Sequence, residues 1–330
     1  MAIKLGVSLY SYQSLFLRKL IDIEGGMREI HKLGATGLQM LGEETPLRPQ
    51  YPKLLQKDID WWKDLCAKYE IVPTCLDAET YPTLYNNRYL TAREQADQLE
   101  ADLKYAHDLG FSVIRVLCGV DPEVVKLAIP AAEYYGVKMG LEVHPPLALD
   151  CFAVRRFLEM ADESGSSMLG LIPDFGIFRQ GAEGHTMYFA KVMGADPDVV
   201  EWINDCMIAG IPVEEIREEL RAHGCDHPLY MRLANDFMKR YQEPEKLRPL
   251  KDWILHFHGK FWRMREDCTE VSVNYPEVFK VLKEMDWDGY ICSEFEGQRA
   301  YMGQACPYEE DEIEQVRRHH VMMNRLIAEA

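Results

Sequence analysis

The chain has 330 residues, 47% of them hydrophobic, and its 37 Lys and Arg against 54 Asp and Glu leave a formal charge of −17. That charge repels phosphate backbones and argues against nucleic acid as a partner, and no apolar run approaches the roughly 20 residues a membrane span needs. The nine cysteines are scattered with no Cys-x-x-Cys pair, and the opening MAIKLGVSLYSY lacks a basic stretch before an apolar one; both features point to a reduced, cytoplasmic protein without a thiolate zinc site.

Taken in chain order, short apolar runs alternate with helical patterns. A strand over Lys4–Leu9 precedes a helix over Ile21–Leu33 and a second strand, Gly37–Leu41. Gln56–Tyr69 is helical and leads to a third strand, Ile71–Cys75. Thr91–Leu109 opens with Thr91 and Glu94 in a capping-box spacing and stops at Gly110, ahead of a fourth strand, Val113–Leu117. Asp121-Pro122 starts the helix Val124–Tyr135, which Gly136 closes before the fifth strand, Met139–Val143. The sixth strand is Met168–Pro173 and the seventh Trp253–His258. Pro276–Met285 precedes the eighth, Tyr290–Phe295, and the helix Glu309–Ile327 ends the pattern.

Most of these strands are unbroken apolar runs, as expected of parallel strands buried on both faces. Strand–helix units in regular order, joined by right-handed crossovers, predict a (β/α)8 barrel, the TIM-barrel fold, as a single domain over residues 1–330. A doubly wound open sheet competes, but its glycine-rich phosphate fingerprint after the first strand is absent. Residues 177–250 break the rhythm between strands six and seven. Phe189–Met193, Pro197–Ala209, Val213–His223 and Pro228–Tyr241 read there as helices, a helical insertion that serves as a lid, a partner surface or plain structural elaboration.

Barrel chemistry sits at the C-terminal ends of the strands. Strand five ends in Glu142, strand six in Asp174, strand seven carries His256 and His258, and strand eight ends in Glu294. A buried carboxylate without a partner is costly, and several on neighbouring strands repel one another. A divalent cation supplies the missing charge. Three oxygen donors and an imidazole suit Mn²⁺ best, with Mg²⁺, Co²⁺ or Zn²⁺ as alternatives. Period-two alternation puts His256 and His258 on one face, so spacing alone does not choose between them.

The order Glu142, Asp174, His258-x-Lys260, Glu294 resembles the xylose isomerase-like superfamily of sugar isomerases and epimerases. Lys4-Leu5-Gly6-Val7-Ser8, Leu33-Gly34-Ala35-Thr36-Gly37-Leu38-Gln39 and Glu142-Val143-His144 are in the same style. The resemblance implies that His258, not His256, is the ligand. It covers nearly the whole chain outside the insertion. Ketose epimerases of that superfamily carry a further Glu, His and Arg where this chain has Ala148, Ile177 and Met264, which departs from free-ketose epimerisation. In length, Glu142-x-His144, His258-x-Lys260 and the late helical insertion, the chain more closely resembles the α subunits of C-glycoside deglycosidases.

The superfamily resemblance implies chemistry at an α-hydroxyketone: the metal stabilises the enediolate left when a base removes the α-proton. His144, two residues beyond Glu142, is the candidate base or a hydrogen-bonding support to a neighbouring carboxylate. Lys260 donates to a substrate oxygen or pairs with Glu296, itself a second acid/base or a substrate ligand. Tyr10 and Tyr12 line the sugar site or pack at the barrel end, and His256, His185 and Arg299 are further substrate-binding candidates. The deglycosidase resemblance implies a 3-oxo-glycoside substrate, loss of the aglycone by β-elimination and a small β-sandwich partner subunit. A keto-sugar isomerase or epimerase with the same metal, and a non-catalytic sugar-binding barrel, are the competing expectations.

Overall fold

The computed structural model describes residues 3–41, 54–225, 227–234, 241–298 and 311–329. Eight parallel strands form the sheet: β1 (Ile3–Ser8), β2 (Gly37–Leu41), β3 (Val72–Asp77), β4 (Val113–Val116), β5 (Lys138–Val143), β6 (Leu169–Pro173), β7 (Phe257–Phe261) and β8 (Gly289–Phe295). They run in the order β6-β5-β4-β3-β2-β1-β8-β7. The ring closes between β6 and β7 through two isolated bridges, Leu171 with Ile254 and Asp174 with His258, and through Leu255 N donating to Leu171 O at 3.0 Å. The predicted (β/α)8 barrel is therefore the observed fold.

The helices are α1 (Gln13–Leu17), α2 (Ile23–Lys32), α3 (Gln56–Lys68), α4 (Ala92–Leu109), α5 (Pro122–Tyr135), α6 (Phe152–Ser164), α7 (Gly184–Val192), α8 (Pro197–Ile208), α9 (Val213–Ala222), α10 (Pro228–Ala234), α11 (Tyr275–Glu284) and α12 (Glu312–Ala328). The capping box of α4 forms as its spacing predicts, Thr91 accepting from Glu94 N while Glu94 accepts from Thr91 N at 2.9 Å. Gly110 and Gly136 end α4 and α5 at φ of 84° and 66°, the left-handed conformation that a side chain disfavours. Between sheet and helices lies one continuous apolar layer; Trp62 of α3 is fully buried there and donates its indole N–H to Leu109 O at 2.8 Å.

Two sequence expectations need correction. Strand seven is not Trp253–His258: Pro244–Trp253 coils as a 3-10 helix and the strand runs Phe257–Phe261, because the apolar run of residues 253–257 covers the approach to the barrel and its polar continuation, His258-Gly259-Lys260, lies inside the strand. Helix α6 has no counterpart among the expected elements, although Phe152–Ser164 buries Val154, Phe157 and Ala161 on one stripe and ends at Gly165, φ 65°. The predicted helix Pro228–Tyr241 is helical to Ala234, with residues 235–240 outside the described set.

Helices α7–α10 fall within residues 177–250 and bury a separate apolar cluster that includes Met187, Val200, Ile203, Met207, Leu220 and Leu233. Polar contacts tie this cluster to the loop after β7: Asn204 Nδ2 donates to Val271 O at 3.2 Å, and Gln180 N to Ser272 O at 2.8 Å. No helix among the described residues is long and apolar enough to cross a membrane.

Candidate metal centre

Strands β5, β7 and β8 and the residue after β6 bring Glu142, His258, Glu294 and Asp174 into one buried chamber. Asp174 enters it because its Oδ1 caps the 3-10 turn Phe175–Phe178, accepting from Gly176 N at 2.6 Å; its other oxygen is then free to face inward. The β7–β8 register sets Lys260 opposite Glu294 and His258 opposite Cys292. His258 Nδ1 lies 3.0 Å from Glu142 Oε1, 3.2 Å from Glu294 Oε2 and 4.0 Å from Asp174 Oδ2. Glu142, Asp174 and His258 offer ligand atoms all within 4.8 Å of one another.

Three donor atoms in this chamber, His258 Nδ1, Asp174 Oδ2 and Glu294 Oε2, are buried without a hydrogen bond. Unsatisfied groups of this kind are rare in folded proteins and call for a cause. Charge gives the same indication. Among the described residues, the ion pairs recorded for the carboxylates of Asp77, Glu142, Asp174, Glu294 and Glu296 bring in two permanent cations, Arg115 and Lys260. The donor set, its orphaned atoms and its excess negative charge fit a divalent ion bound among Glu142, Asp174, His258 and Glu294.

Without such an ion, Lys260 supplies part of the missing charge. Its Nζ stands 3.2 Å from Asp174 Oδ2, 3.1 Å from Glu294 Oε2 and 2.8 Å from Glu296 Oε1. Burial opposes a charged Lys260, but the carboxylates of Asp174, Glu294 and Glu296 outweigh it and hold the ammonium well above its ordinary pKa. Burial likewise opposes ionisation of Glu142, yet Arg115 and the close His258 imidazole hold this carboxyl at about 2. Glu294 is also held well below the usual range, with Lys260 and His258 overcoming burial, whereas burial dominates at Asp174 and raises it.

His144 sits just past β5, half-buried, with Nδ1 2.5 Å from Pro145 O. A carbonyl only accepts, so this contact puts the proton on Nδ1 and leaves the Nε2 lone pair open. His256 is 1% exposed and bonds to Gln39 inside the barrel, which sets it in the wall of the chamber. Tyr10 is buried in the 3-10 turn Leu9–Tyr12, where Gln298 Nε2 donates to its carbonyl at 3.2 Å. Tyr12 is wholly buried, and burial raises its hydroxyl far above the ordinary value. His185 lies on α7 with its side chain outside the described set, and Arg299 lies outside the described residues.

Three chamber residues escape the sequence reading: Gln39 on β2, Asp77 on β3 and Arg115 on β4. Arg115 Nε lies 3.5 Å from Asp77 and 3.7 Å from Glu142. Each is a polar residue in an otherwise apolar strand, Asp77 at its end and Gln39 and Arg115 inside it, a signal related to the one that marks the late strands. A second cluster, Cys75, Asp77 and His258, also has metal-ligand spacing. It is the poorer site, since Asp77 is already bonded by Gln39 and burial pushes the Cys75 thiol up to about 12, whereas a metal takes the thiolate.

Barrel and chamber together define an enzyme of the (β/α)8 class with its polar site at the C-terminal mouth. The chain belongs to the xylose isomerase-like TIM-barrel family, whose model matches residues 27–319. It is similar to a C-glycoside deglycosidase alpha subunit of Arthrobacter globiformis, 27% identical with 99% of this chain and 93% of the relative covered. It is also similar to a 3'-dehydrocarminate deglycosidase alpha subunit of a Microbacterium species, 25% identical over 99% of this chain and 96% of the relative. Among solved structures it shares its fold with a sugar phosphate isomerase/epimerase from Parabacteroides distasonis, with TM-score 0.57, 14% identity, and 99% and 95% of the two chains covered.

Proposed function

We propose that this chain is the catalytic subunit of a divalent-metal-dependent deglycosidase that acts on 3-oxo-glycosides, including C-glycosides. The observation that carries the reading is the convergence of Glu142, Asp174, His258 and Glu294 in one buried chamber, where Asp174 Oδ2, His258 Nδ1 and Glu294 Oε2 make no hydrogen bond and have only ion-pair contacts with Lys260 and with one another. Full-length similarity to deglycosidase alpha subunits supports the choice of substrate.

A divalent ion held by Glu142, Asp174, His258 and Glu294, with Mn²⁺ the best match to the donors, supplies Lewis acidity that stabilises negative charge on adjacent substrate oxygens. His144 Nε2 takes the proton from C2 of the 3-oxo-sugar, and the C–H electron pair delocalises onto the C3 oxygen. As that charge returns to the C3 carbonyl, C1–C2 becomes a double bond and the bond from C1 to the aglycone breaks. The departing aglycone carbon keeps the pair and takes a proton relayed by the Lys260–Glu296 pair. Arg115 favours the ionised form of Glu142 and Lys260 that of Glu294, and the burial of the chamber keeps bulk water from the carbanion.

Free-ketose epimerisation has less support: Ile177 and Met264, at two of the positions where ketose epimerases carry polar groups, are each 1% exposed and part of the apolar core. The name alpha subunit borne by the relatives supports a second chain in the active assembly. The test is an assay of purified protein, with and without a copurifying small chain, on 3-oxo-C-glycosides and on free ketoses in deuterated buffer. Aglycone release with deuterium entering C2 is expected from 3-oxo-glycosides, and turnover confined to free ketoses contradicts the proposal.

A further inference from the structure

Along β7 and β8 the side chains alternate between two surroundings. Phe261 stacks on His319 of α12 at 4.0 Å between ring centroids, and Ser293 bonds the same histidine at 2.8 Å, so these residues face the helices. His258, Lys260, Glu294 and Glu296 face the chamber. The next residues in that alternation are Trp262 and Gln298, past the ends of the two strands, and both are buried. Each carries a polar atom with no hydrogen bond, Nε1 in Trp262 and Oε1 in Gln298.

Local packing fixes both groups. Gln298 Nε2 donates to Tyr10 O at 3.2 Å. A carbonyl only accepts, so the amide nitrogen is the end turned to Tyr10 and Oε1 is the end left open. Trp262 is anchored through its backbone N, which donates to Glu270 Oε1 at 3.3 Å, and the Arg179 guanidinium covers its ring at 5.3 Å from the centroid. One edge of the indole borders the chamber: a Cβ added to Gly176 would lie 3.3 Å from Trp262 Cη2, 2.8 Å from Asp174 Oδ1 and 3.5 Å from Pro145 Cδ. Nε1 belongs to that same edge of the ring.

A buried donor and a buried acceptor left unpaired at one mouth call for a common cause. Neither is a carboxylate or an imidazole, so a metal ion does not account for them. A sugar hydroxyl does, since it accepts from an indole N–H and donates to an amide oxygen. In the proposed elimination, C1 of the sugar carries the aglycone, C2 loses its proton and C3 is the carbonyl, which leaves the hydroxyls of C4 and C6 of a hexose. We propose that Trp262 and Gln298 are substrate-binding residues, Nε1 and Oε1 each taking one of those hydroxyls. Buried polar groups reject an analogue without the matching hydroxyl because they then stay unpaired, so the pair selects 3-oxo-hexosides over sugars that lack either group.

This role rests on the deglycosidase reading proposed above, and the experiment separates the two. Aglycone release is measured as kcat/KM for the Mn²⁺-loaded protein, with any copurifying chain, and for Trp262→Phe and Gln298→Met. The substrates are a 3-oxo-C-glucoside and its 4-deoxy and 6-deoxy analogues, and Mn²⁺ affinity is determined without substrate. Each variant should lose roughly 10- to 100-fold on the parent substrate while binding Mn²⁺ as the wild type does. On one of the two deoxy analogues that loss should vanish, because the hydroxyl concerned is already missing. Wild-type kcat/KM in either variant, an equal loss on all three substrates, or a loss of Mn²⁺ affinity in step with activity overturns the role of that residue and leaves the deglycosidase reading standing. A wild-type protein that releases no aglycone from the parent substrate overturns both.

Discussion

Lys260 and Glu296 form an ion pair almost wholly withdrawn from water, with Nζ 2.8 Å from Oε1. A buried pair is a poor source of net stability, but removing one partner leaves an uncompensated charge and costs about 3–5 kcal/mol. In metal-stripped protein Lys260 also faces Asp174 and Glu294, so the loss should be felt in full. Lys260→Met should lower the stability of the chelated protein by about that amount in denaturant titrations. Adding Glu296→Gln should return part of the loss, and strictly additive losses would show that the two side chains do not act as a pair.

The bond from His144 Nδ1 to Pro145 O leaves Nε2 as the accepting nitrogen, and His144 is not one of the grouped ligand residues. His144→Ala should therefore retain the metal while slowing exchange of the substrate α-proton by roughly 10²- to 10⁴-fold. Solvent-deuterium exchange followed by mass spectrometry reads this directly. Loss of bound metal in the same variant would instead make His144 a support for the ligands.

The C-terminal helix carries an acid-sensitive group far less exposed than its sequence suggests. Burial lowers the His320 imidazole from its ordinary 6.5 to about 4. Between those values the unfolded chain binds a proton that the folded chain refuses, so this contribution is complete above pH 6.5 and is lost as pH falls toward 4. Glu312 has the opposite sign. Burial pushes its carboxyl up to about 6, against the opposing bonds from Ser14 and Leu15, so its contribution is present below its unfolded value and lost as pH rises through 6. His320→Leu should flatten the acid decline of the melting temperature, and Glu312→Gln should steepen it. Unchanged profiles in both variants would show that neither group titrates as its burial requires.

The late half of the site is more legible in the sequence than the early half, for a physical reason. Glu142, Asp174 and Glu294 sit at the ends of β5, β6 and β8, and His258 lies in β7 between them, so the like charge of the three carboxylates stands out in the chain as a repeating problem. Gln39 and Arg115 lie within early strands and Asp77 ends one, but a lone Gln or Arg in an apolar run carries no sign of the carboxylates it meets. Only closure of the barrel, which brings β2 and β3 around to His258, gives them partners. The strands themselves are legible to within a few residues, except β7. There the strand has to carry His258 and Lys260 inward, so the apolar run just before it mimics the strand. Helix α6 escapes notice because Cys151 offers no side-chain cap and its stripe is short.

The most direct test of the metal centre is the Mn²⁺ stoichiometry of the purified chain, set beside Glu142→Ala, Asp174→Asn, His258→Gln and Glu294→Ala. Elemental analysis and equilibrium dialysis should find a single divalent ion per chain in the wild type and little or none in each variant, with catalysis lost in parallel. A wild-type protein that remains metal-free in excess Mn²⁺, or an ion that stays bound when these side chains are removed, would contradict it.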